Sequence, residues 1–133
     1  MECKILIVDD DPTCLFLHSS LIVKSELCEA PEQFLNGEEA FEFLEAQQAT
    51  DNSFLVLLDL DMPVMNGWEF LEKLELAKLP FEVDVAIVTS SIDKADRQQA
   101  EKYESVTAYL TKPIFNLDQI REIITKRETP IST

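Results

Sequence analysis

Apolar runs of strand length alternate along the chain with segments in which apolar residues recur at helical spacing. This pattern predicts strands at residues 4–8, 54–58, 83–88 and 106–110, and a weaker strand near 33–35. The runs "ILIV", "FLVLL" and "VAIV" are almost continuously apolar, which is typical of parallel strands covered on both faces.

The segments between the strands carry signals for helix starts. Asp11 precedes Pro12, so a capping carboxylate stands before a proline at the first helical position. We expect Cys14, Leu17 and Leu21 to form the buried stripe of this first helix. Three later pairs have the spacing of a capping box: Asn36 with Glu39, Asn66 with Glu69, and Asn116 with Gln119.

Five strands alternating with five helices predict an α/β fold, a doubly wound parallel sheet with helices on both faces. We assign residues 1–127 to this domain and residues 128–133 to a short C-terminal tail. The helical segment 93–103 has only Ala95, Ala100 and Tyr103 as apolar residues, so we expect it to be lightly anchored.

Composition narrows the class of protein. The 133 residues suit one domain, and 26 Asp and Glu against 11 Lys and Arg give a net charge of −15. This charge disfavours direct binding to nucleic acid or insertion into an anionic membrane, and no apolar run approaches the roughly 20 residues of a membrane span. Cys3, Cys14 and Cys28 lack metal-ligand spacing, which fits a reduced compartment and a cytoplasmic location.

Polar residues follow four of the predicted strands: Asp9, Asp10 and Asp11 after the first, Asp59 and Asp61 after the third, Thr89 and Ser90 after the fourth, and Lys112 and Pro113 after the fifth. The functional crevice of such a sheet lies beyond the carboxyl ends of its strands, so these residues should meet there. Crowded carboxylates repel each other unless one is protonated or a cation is bound.

Oxygen ligands without His or Cys favour Mg²⁺. We expect Asp10 and Asp59 to bind the ion directly, Asp9 to act through water, and a backbone carbonyl near Asp61 to contribute. A carboxylate beside Mg²⁺ can attack phosphorus and form an aspartyl phosphate, and Lys112 and Thr89 would hold the remaining phosphoryl oxygens.

The motifs "ILIVDDD", "LVLLDLDMPVMNGWEFL", "IVTSS" and "AYLTKPI" occur in an order and spacing that resemble the receiver domain of two-component response regulators, in particular its stand-alone, CheY-like form. The resemblance covers about residues 4–127. It implies a flavodoxin-like fold with strand order 2-1-3-4-5 and a signalling protein rather than an enzyme. It also implies that Asp59 accepts phosphate from a histidine kinase or a histidine phosphotransfer protein, and that Asp9 and Asp10 serve Mg²⁺.

The resemblance further implies a conformational switch. Thr89 and Lys112 would contact the phosphoryl group, Tyr109 would turn inward when Thr89 moves, and the bond before Pro113 would be cis. We expect the fourth helix, fifth strand and fifth helix to form the face that binds an unknown downstream protein. The protein would be a monomer or a dimer promoted by phosphorylation.

The sequence departs from the family pattern at three places. Pro31 interrupts the second strand, which predicts an irregular or edge strand. Asp61, two residues after the acceptor, could alter how water reaches the acyl phosphate. The glycine common before the fifth strand is absent from "YESVTAYL".

Three other functions are compatible with parts of the pattern. A haloacid-dehalogenase-like phosphatase would use Asp59 and Asp61, but its other metal carboxylates normally lie downstream. A flavodoxin-like cofactor site would need a different loop from "DDDPT", which would repel a flavin phosphate. A receiver-like binding module could act without phosphorylation. His18 could be interpreted as a phosphohistidine, but no acidic residue lies beside it at helical spacing. We therefore interpret it as an ordinary, partly exposed histidine.

Overall fold

A computed structural model describes residues 3–47, 52–114 and 116–128 of the chain. Its strands and helices alternate in the order β1 (Cys3–Val8), α1 (Pro12–Lys24), β2 (Glu32–Phe34), α2 (Gly37–Glu45), β3 (Ser53–Leu58), α3 (Gly67–Ala77), β4 (Val83–Thr89), α4 (Lys94–Ala100), β5 (Val106–Thr111) and α5 (Asp118–Glu128). The five strands form one parallel sheet in the order β2-β1-β3-β4-β5. The predicted fold class and strand order are confirmed.

The middle of the sheet is its most deeply buried part. All residues of β3 are buried, as expected for a parallel strand covered on both faces. β1 pairs with β3 in continuous register, and Val8 lies opposite Leu58 at the end of both strands. The next residues, Asp9 and Asp59, therefore emerge side by side at the carboxyl edge.

The edge strand β2 differs from the others. It has three residues and pairs with β1, and none of its side chains is fully buried. Of the predicted alternatives, an irregular or an edge strand, the edge strand is confirmed.

The helices cover both faces of the sheet, because each face carries its own apolar cluster. One cluster joins β1, β3 and β4 to α2, α3 and Ala100 of α4. The other joins the opposite face of the sheet to α1 and α5. The arrangement is doubly wound, as predicted.

The predicted caps are present at three helices. The Asp11 side chain accepts a hydrogen bond from the Thr13 amide at 2.9 Å, and Asn36 accepts from the Glu39 amide at 2.9 Å. Asn66 and Glu69 form a complete capping box. At the fourth predicted start, α5 begins at Asp118, whose amide donates to the Asn116 side chain at 2.8 Å; among the described residues this contact, and not one with Gln119, is the one observed for Asn116.

The buried stripe of α1 also differs from the prediction. Leu15, His18 and Ile22 face the core, whereas Leu17 is 52% exposed. α1 carries apolar residues around its whole circumference, so periodicity alone does not select the buried face. His18 is buried rather than partly exposed, which corrects the sequence interpretation.

The C-terminal half of the domain ends with α5, which includes Glu128, the first residue of the predicted tail. Residues 129–133 of that tail lie outside the described residues. Within the described ranges, no helix combines the length and apolar character that crossing a bilayer requires.

Candidate functional site

Three carboxylates meet at the carboxyl edge of the sheet. Asp9, Asp10 and Asp59 each offer one oxygen, and these oxygens lie within 4.8 Å of one another. Asp9 and Asp59 are buried, whereas Asp10 is exposed. The structure therefore brings together three of the residues that the sequence predicted to meet.

Lys112 joins the carboxylates from the end of β5. Its ammonium nitrogen lies 2.7 Å from Oδ2 of Asp9 and 3.4 Å from Oδ1 of Asp59. Its backbone amide donates to the carbonyl of Thr89 at 2.8 Å. Asp9, Asp59 and Lys112 follow three different strands. They meet because the Lys112 ammonium lies against both carboxylates.

The site is electrostatically crowded. Burial and, after it, the negative charge of Asp9 raise the pKa of Asp59, and Lys112 and the Asp61 amide act in the opposite direction; together these effects place the pKa at about 6. Burial lowers the pKa of Lys112, but its hydrogen bond to Asp9 and the charges of Asp59 and Asp9 outweigh burial and raise it overall. Ionised Asp59 is therefore costly in the folded protein, and added positive charge would relieve that cost.

Backbone amides hold the two buried carboxylates. The Asp11 amide donates to Oδ1 of Asp9 at 2.9 Å, and the Asp61 amide donates to Oδ1 of Asp59 at 3.4 Å. Asp61 is exposed. The structure thus places the backbone of Asp61 against the predicted acceptor.

Gly67, the first residue of α3, packs directly on the acceptor segment. A Cβ atom there would lie 2.8 Å from the carbonyl oxygen of Asp59 and 2.8 Å from Cα of Leu60, and the Gly67 amide donates to the Leu60 carbonyl at 3.0 Å. Only glycine permits this approach without displacing backbone. This role of Gly67 is not predictable from the sequence pattern, because the contact joins residues that helical periodicity does not relate.

The adjacent strand β4 ends with Thr89, which is fully buried. Its hydroxyl accepts a hydrogen bond from the Ser91 amide at 3.1 Å, and the Ser91 hydroxyl lies 2.7 Å from Oδ2 of Asp96 in α4. Among the contacts of the described residues, the Thr89 hydroxyl has no hydrogen bond to the three carboxylates. Thr89 is linked to the site through its backbone carbonyl, which accepts a hydrogen bond from the Lys112 amide.

Tyr109 lies on β5 beside α4. Its ring is half-buried, and the guanidinium carbon of Arg97 lies 5.0 Å from the ring centroid. The peptide bond between Lys112 and Pro113 is cis, as the resemblance implied. The Ile114 amide beyond this proline donates to Nε2 of His18 at 3.4 Å.

The site suits a hard divalent cation. The donor set consists of three carboxylates without a His or Cys ligand, which is the chemistry that Mg²⁺ prefers. The three carboxylate oxygens lie close enough together to share one ion. Asp9 also forms an ion pair with Lys112.

A family model described as the response regulator receiver domain matches residues 5–125. The chain belongs to this family. Its receiver fold is shared by a response regulator receiver protein from Dyadobacter fermentans DSM 18053, at 27% identity and a TM-score of 0.78 over 96% of this chain and 99% of that one. A CheY-like response regulator receiver domain protein from Methanospirillum hungatei JF-1 has 26% identity and a TM-score of 0.74, with 96% and 98% covered.

A curated relative is the probable C4-dicarboxylate response regulator DctR of Bacillus subtilis (strain 168), which is 30% identical over 94% of this chain and 52% of its own length. The chain spans about half or less of the length of the first curated relatives it matches. The family assignment favours the receiver prediction over the dehalogenase-like and flavodoxin-like alternatives. The receiver family is a signalling family, and some relatives carry its domain within enzymes such as protein-glutamate methylesterase/protein-glutamine glutaminase.

Proposed function

We propose that the protein is a phosphoacceptor of a two-component system in which Asp59 receives a phosphoryl group from a sensor histidine kinase or a histidine phosphotransfer protein. The observation that carries this proposal is the environment of Asp59. A buried carboxylate lies beside the acidic pair Asp9 and Asp10 and within 3.4 Å of the Lys112 ammonium. Family membership supports a phosphoacceptor role in general.

In the proposed reaction, an Asp59 carboxylate oxygen attacks phosphorus. The new oxygen–phosphorus bond forms as the bond to the donor histidine nitrogen breaks, and the electron pair leaves with the imidazole. The Lys112 ammonium would form an ion pair with the incoming phosphoryl oxygens, and the Thr89 hydroxyl would donate to another.

The proposed cofactor is Mg²⁺. Asp10 and Asp59 would bind it directly, with the Asp61 carbonyl as a further ligand and Asp9 acting through water. When bound, the ion supplies positive charge that offsets the repulsion between the carboxylates and the phosphoryl oxygens. The raised pKa of Asp59 supports this assignment, because burial and, second, the charge of Asp9 disfavour the ionised carboxylate, which a bound cation would stabilise.

The proposed output passes through α4, β5 and α5 to a downstream protein. Thr89 is linked to α4 by the hydrogen bonds of Ser91, and Tyr109 of β5 lies under Arg97 of α4. If the phosphoryl group draws the Thr89 hydroxyl, this contact set must rearrange. We propose that the protein works in the cytoplasm, without binding nucleic acid directly or inserting into a membrane, as a monomer or as a dimer promoted by phosphorylation.

Intact-mass measurement after incubation with acetyl phosphate and Mg²⁺ tests the acceptor. We expect one phosphoryl group on the wild type and none on Asp59→Asn, because the amide is not a nucleophile. Asp118→Asn, an exposed aspartate in the first turn of α5, is the matched control and should label normally. Labelling should also require Mg²⁺, and Asp10→Ala should raise the Mg²⁺ concentration needed.

Equal labelling of Asp59→Asn would refute the acceptor assignment. If the wild type takes no label and its partner binding is unchanged in Asp59→Asn, the protein is a phosphorylation-independent binding module.

A further inference from the structure

His18 is a buried polar residue that the proposed reaction does not use. Its side chain is 4% exposed, and it lies on α1 between Leu15 and Ile22, which belong to the apolar cluster shared with α5. Burying an imidazole in such surroundings is costly unless the ring makes a hydrogen bond. Nε2 of His18 has one, because it accepts from the Ile114 amide at 3.4 Å.

The Ile114 amide lies two residues beyond Lys112. Pro113 between them has no amide hydrogen, so residues 112 and 114 supply the backbone donors of this short segment. The Lys112 amide donates to Thr89 of β4 at 2.8 Å, and the Ile114 amide donates to His18 of α1. The segment that carries Lys112 is therefore held from both sides, by a strand and by a helix.

The accepting role requires Nε2 to carry no proton. Burial lowers the pKa of His18, while the charge of Asp9 raises it and the charge of Lys112 lowers it. The lowered pKa favours the neutral imidazole, which agrees with Nε2 as an acceptor.

We propose that His18 is a positioning residue for Lys112: by holding the Ile114 amide, it keeps the Lys112 ammonium between Asp9 and Asp59, where it would meet an incoming phosphoryl group. This inference rests on the proposed function. His18 itself would not touch the phosphoryl group. Small displacements matter in such sites, because misplacing a reacting group by about 1 Å can slow a reaction by about 100-fold.

Three substitutions separate this role from simple packing. His18→Leu fills a similar volume but removes the acceptor. His18→Gln retains an acceptor, since its side-chain oxygen extends about as far as Nε2. His18→Asn is polar but too short to reach the Ile114 amide.

The readouts are the rate of labelling by acetyl phosphate, the Mg²⁺ concentration that half-saturates this rate, and hydrogen exchange of the Ile114 amide. We expect His18→Leu to label about tenfold more slowly. Exchange at Ile114 should accelerate, and the Mg²⁺ requirement should be unchanged, because Asp10 and Asp59 are intact. His18→Gln should restore most of the rate and the slow exchange.

Equal slowing in His18→Leu and His18→Gln overturns the proposal, since the acceptor would then be irrelevant. The proposal is also overturned if His18→Leu is labelled at the wild-type rate while hydrogen exchange of its Ile114 amide is accelerated. If His18→Leu does not fold, His18→Asn decides: slow labelling supports the proposal and a wild-type rate overturns it. A wild type that takes no label overturns the proposed function as well, whereas normal wild-type labelling with either contrary variant result overturns only the role of His18.

Discussion

α3 and α4 both follow strands that end at the site, yet they are attached to the domain very differently. α3 follows the strand that presents Asp59, begins with a complete capping box and buries Gly67, Phe70, Leu71 and Leu74. α4 follows the strand that ends at Thr89, is only seven residues long and buries Ala100 alone. The acceptor side of the site therefore rests on a firm helix, and the threonine side rests on a loosely held one.

This difference suits a switch. A carboxylate that must stay aligned with Lys112 and Asp9 benefits from rigid support, whereas an element that changes its contacts must have little buried surface to lose. The polar contacts at the start of α4, such as the hydrogen bond between Ser91 and Asp96, can be exchanged without opening the core. We therefore expect α3 to contribute mainly to stability and α4 to take part in the proposed switching.

The largest effect is expected when a buried side chain of α3 is truncated. Leu71→Ala should lower the free energy of unfolding by about 2–5 kcal/mol, because Leu71 is fully buried and its loss leaves a cavity. The matched control is Leu76→Ala in the same helix, where Leu76 is 82% exposed and the change should stay within about 0.5 kcal/mol. Urea unfolding measures both. Similar losses at the two positions would show that α3 is not the firm support inferred here.

The next largest effect concerns the charge of Asp59. Its pKa is raised from 3.8 to about 6 in the folded protein, so stability is lost as the pH rises through this range and the cost is fully present above it. Without divalent cations, Asp59→Asn should therefore stabilise the fold by about 2–3 kcal/mol at pH 7.5 and by almost nothing near pH 3.5. Urea unfolding at the two pH values checks this. An equal gain at both would contradict the pKa assignment.

Gly67→Ala tests how tightly α3 is seated against the acceptor. The added methyl group would lie 2.8 Å from backbone atoms of Asp59 and Leu60, so overpacking should cost about 1–3 kcal/mol and labelling should slow. Gly37→Ala is the matched control: it is also the first residue of a helix capped by asparagine, but its nearest contacts are with Met65, at 3.1–3.3 Å. Thermal unfolding should show a clearly smaller change there, and the reverse order would be evidence against the close approach.

The smallest effect is expected at α4. Arg97→Ala removes the exposed Arg97 guanidinium from the face of the half-buried Tyr109 ring, and a cation–π contact near the surface stabilises a fold by about 0.5–1 kcal/mol. Hydrogen exchange should accelerate in α4 and remain unchanged in α3. Lys94→Ala in the same helix is the control and should leave both unaffected. Faster exchange in α3 would mean that the two helices are coupled rather than independent.

Much of this architecture could be predicted from the sequence, because the strongest signals are local. Continuous apolar runs indicated buried parallel strands, and Asp11, Asn36 and Asn66 marked helix starts through side chains that reach amides two or three residues away. The buried face of α1 could not be predicted in this way, because two sets of its residues have the same helical spacing. Cys14, Leu17 and Leu21 form the wholly apolar set, but the set that contains His18 is the buried one.

The candidate site was predictable where it depended on topology. The carboxyl ends of parallel strands share one edge, so the convergence of Asp9, Asp59 and Lys112 followed from the strand assignment. The roles of Gly67 and His18 did not follow from it, because each depends on one contact between distant parts of the chain. A stripe of Leu15, His18 and Ile22 was the available signal for His18, since a histidine on a buried face needs a partner.

The protein has a single tryptophan, and its location gives it a practical value. Trp68 lies in the first turn of α3, and its ring stacks on Tyr103, which follows α4, with 6.2 Å between centroids. The indole therefore contacts both α3 and the turn that follows α4. We expect its emission to change if α4 is displaced, which would allow the proposed switching to be followed without attaching a dye.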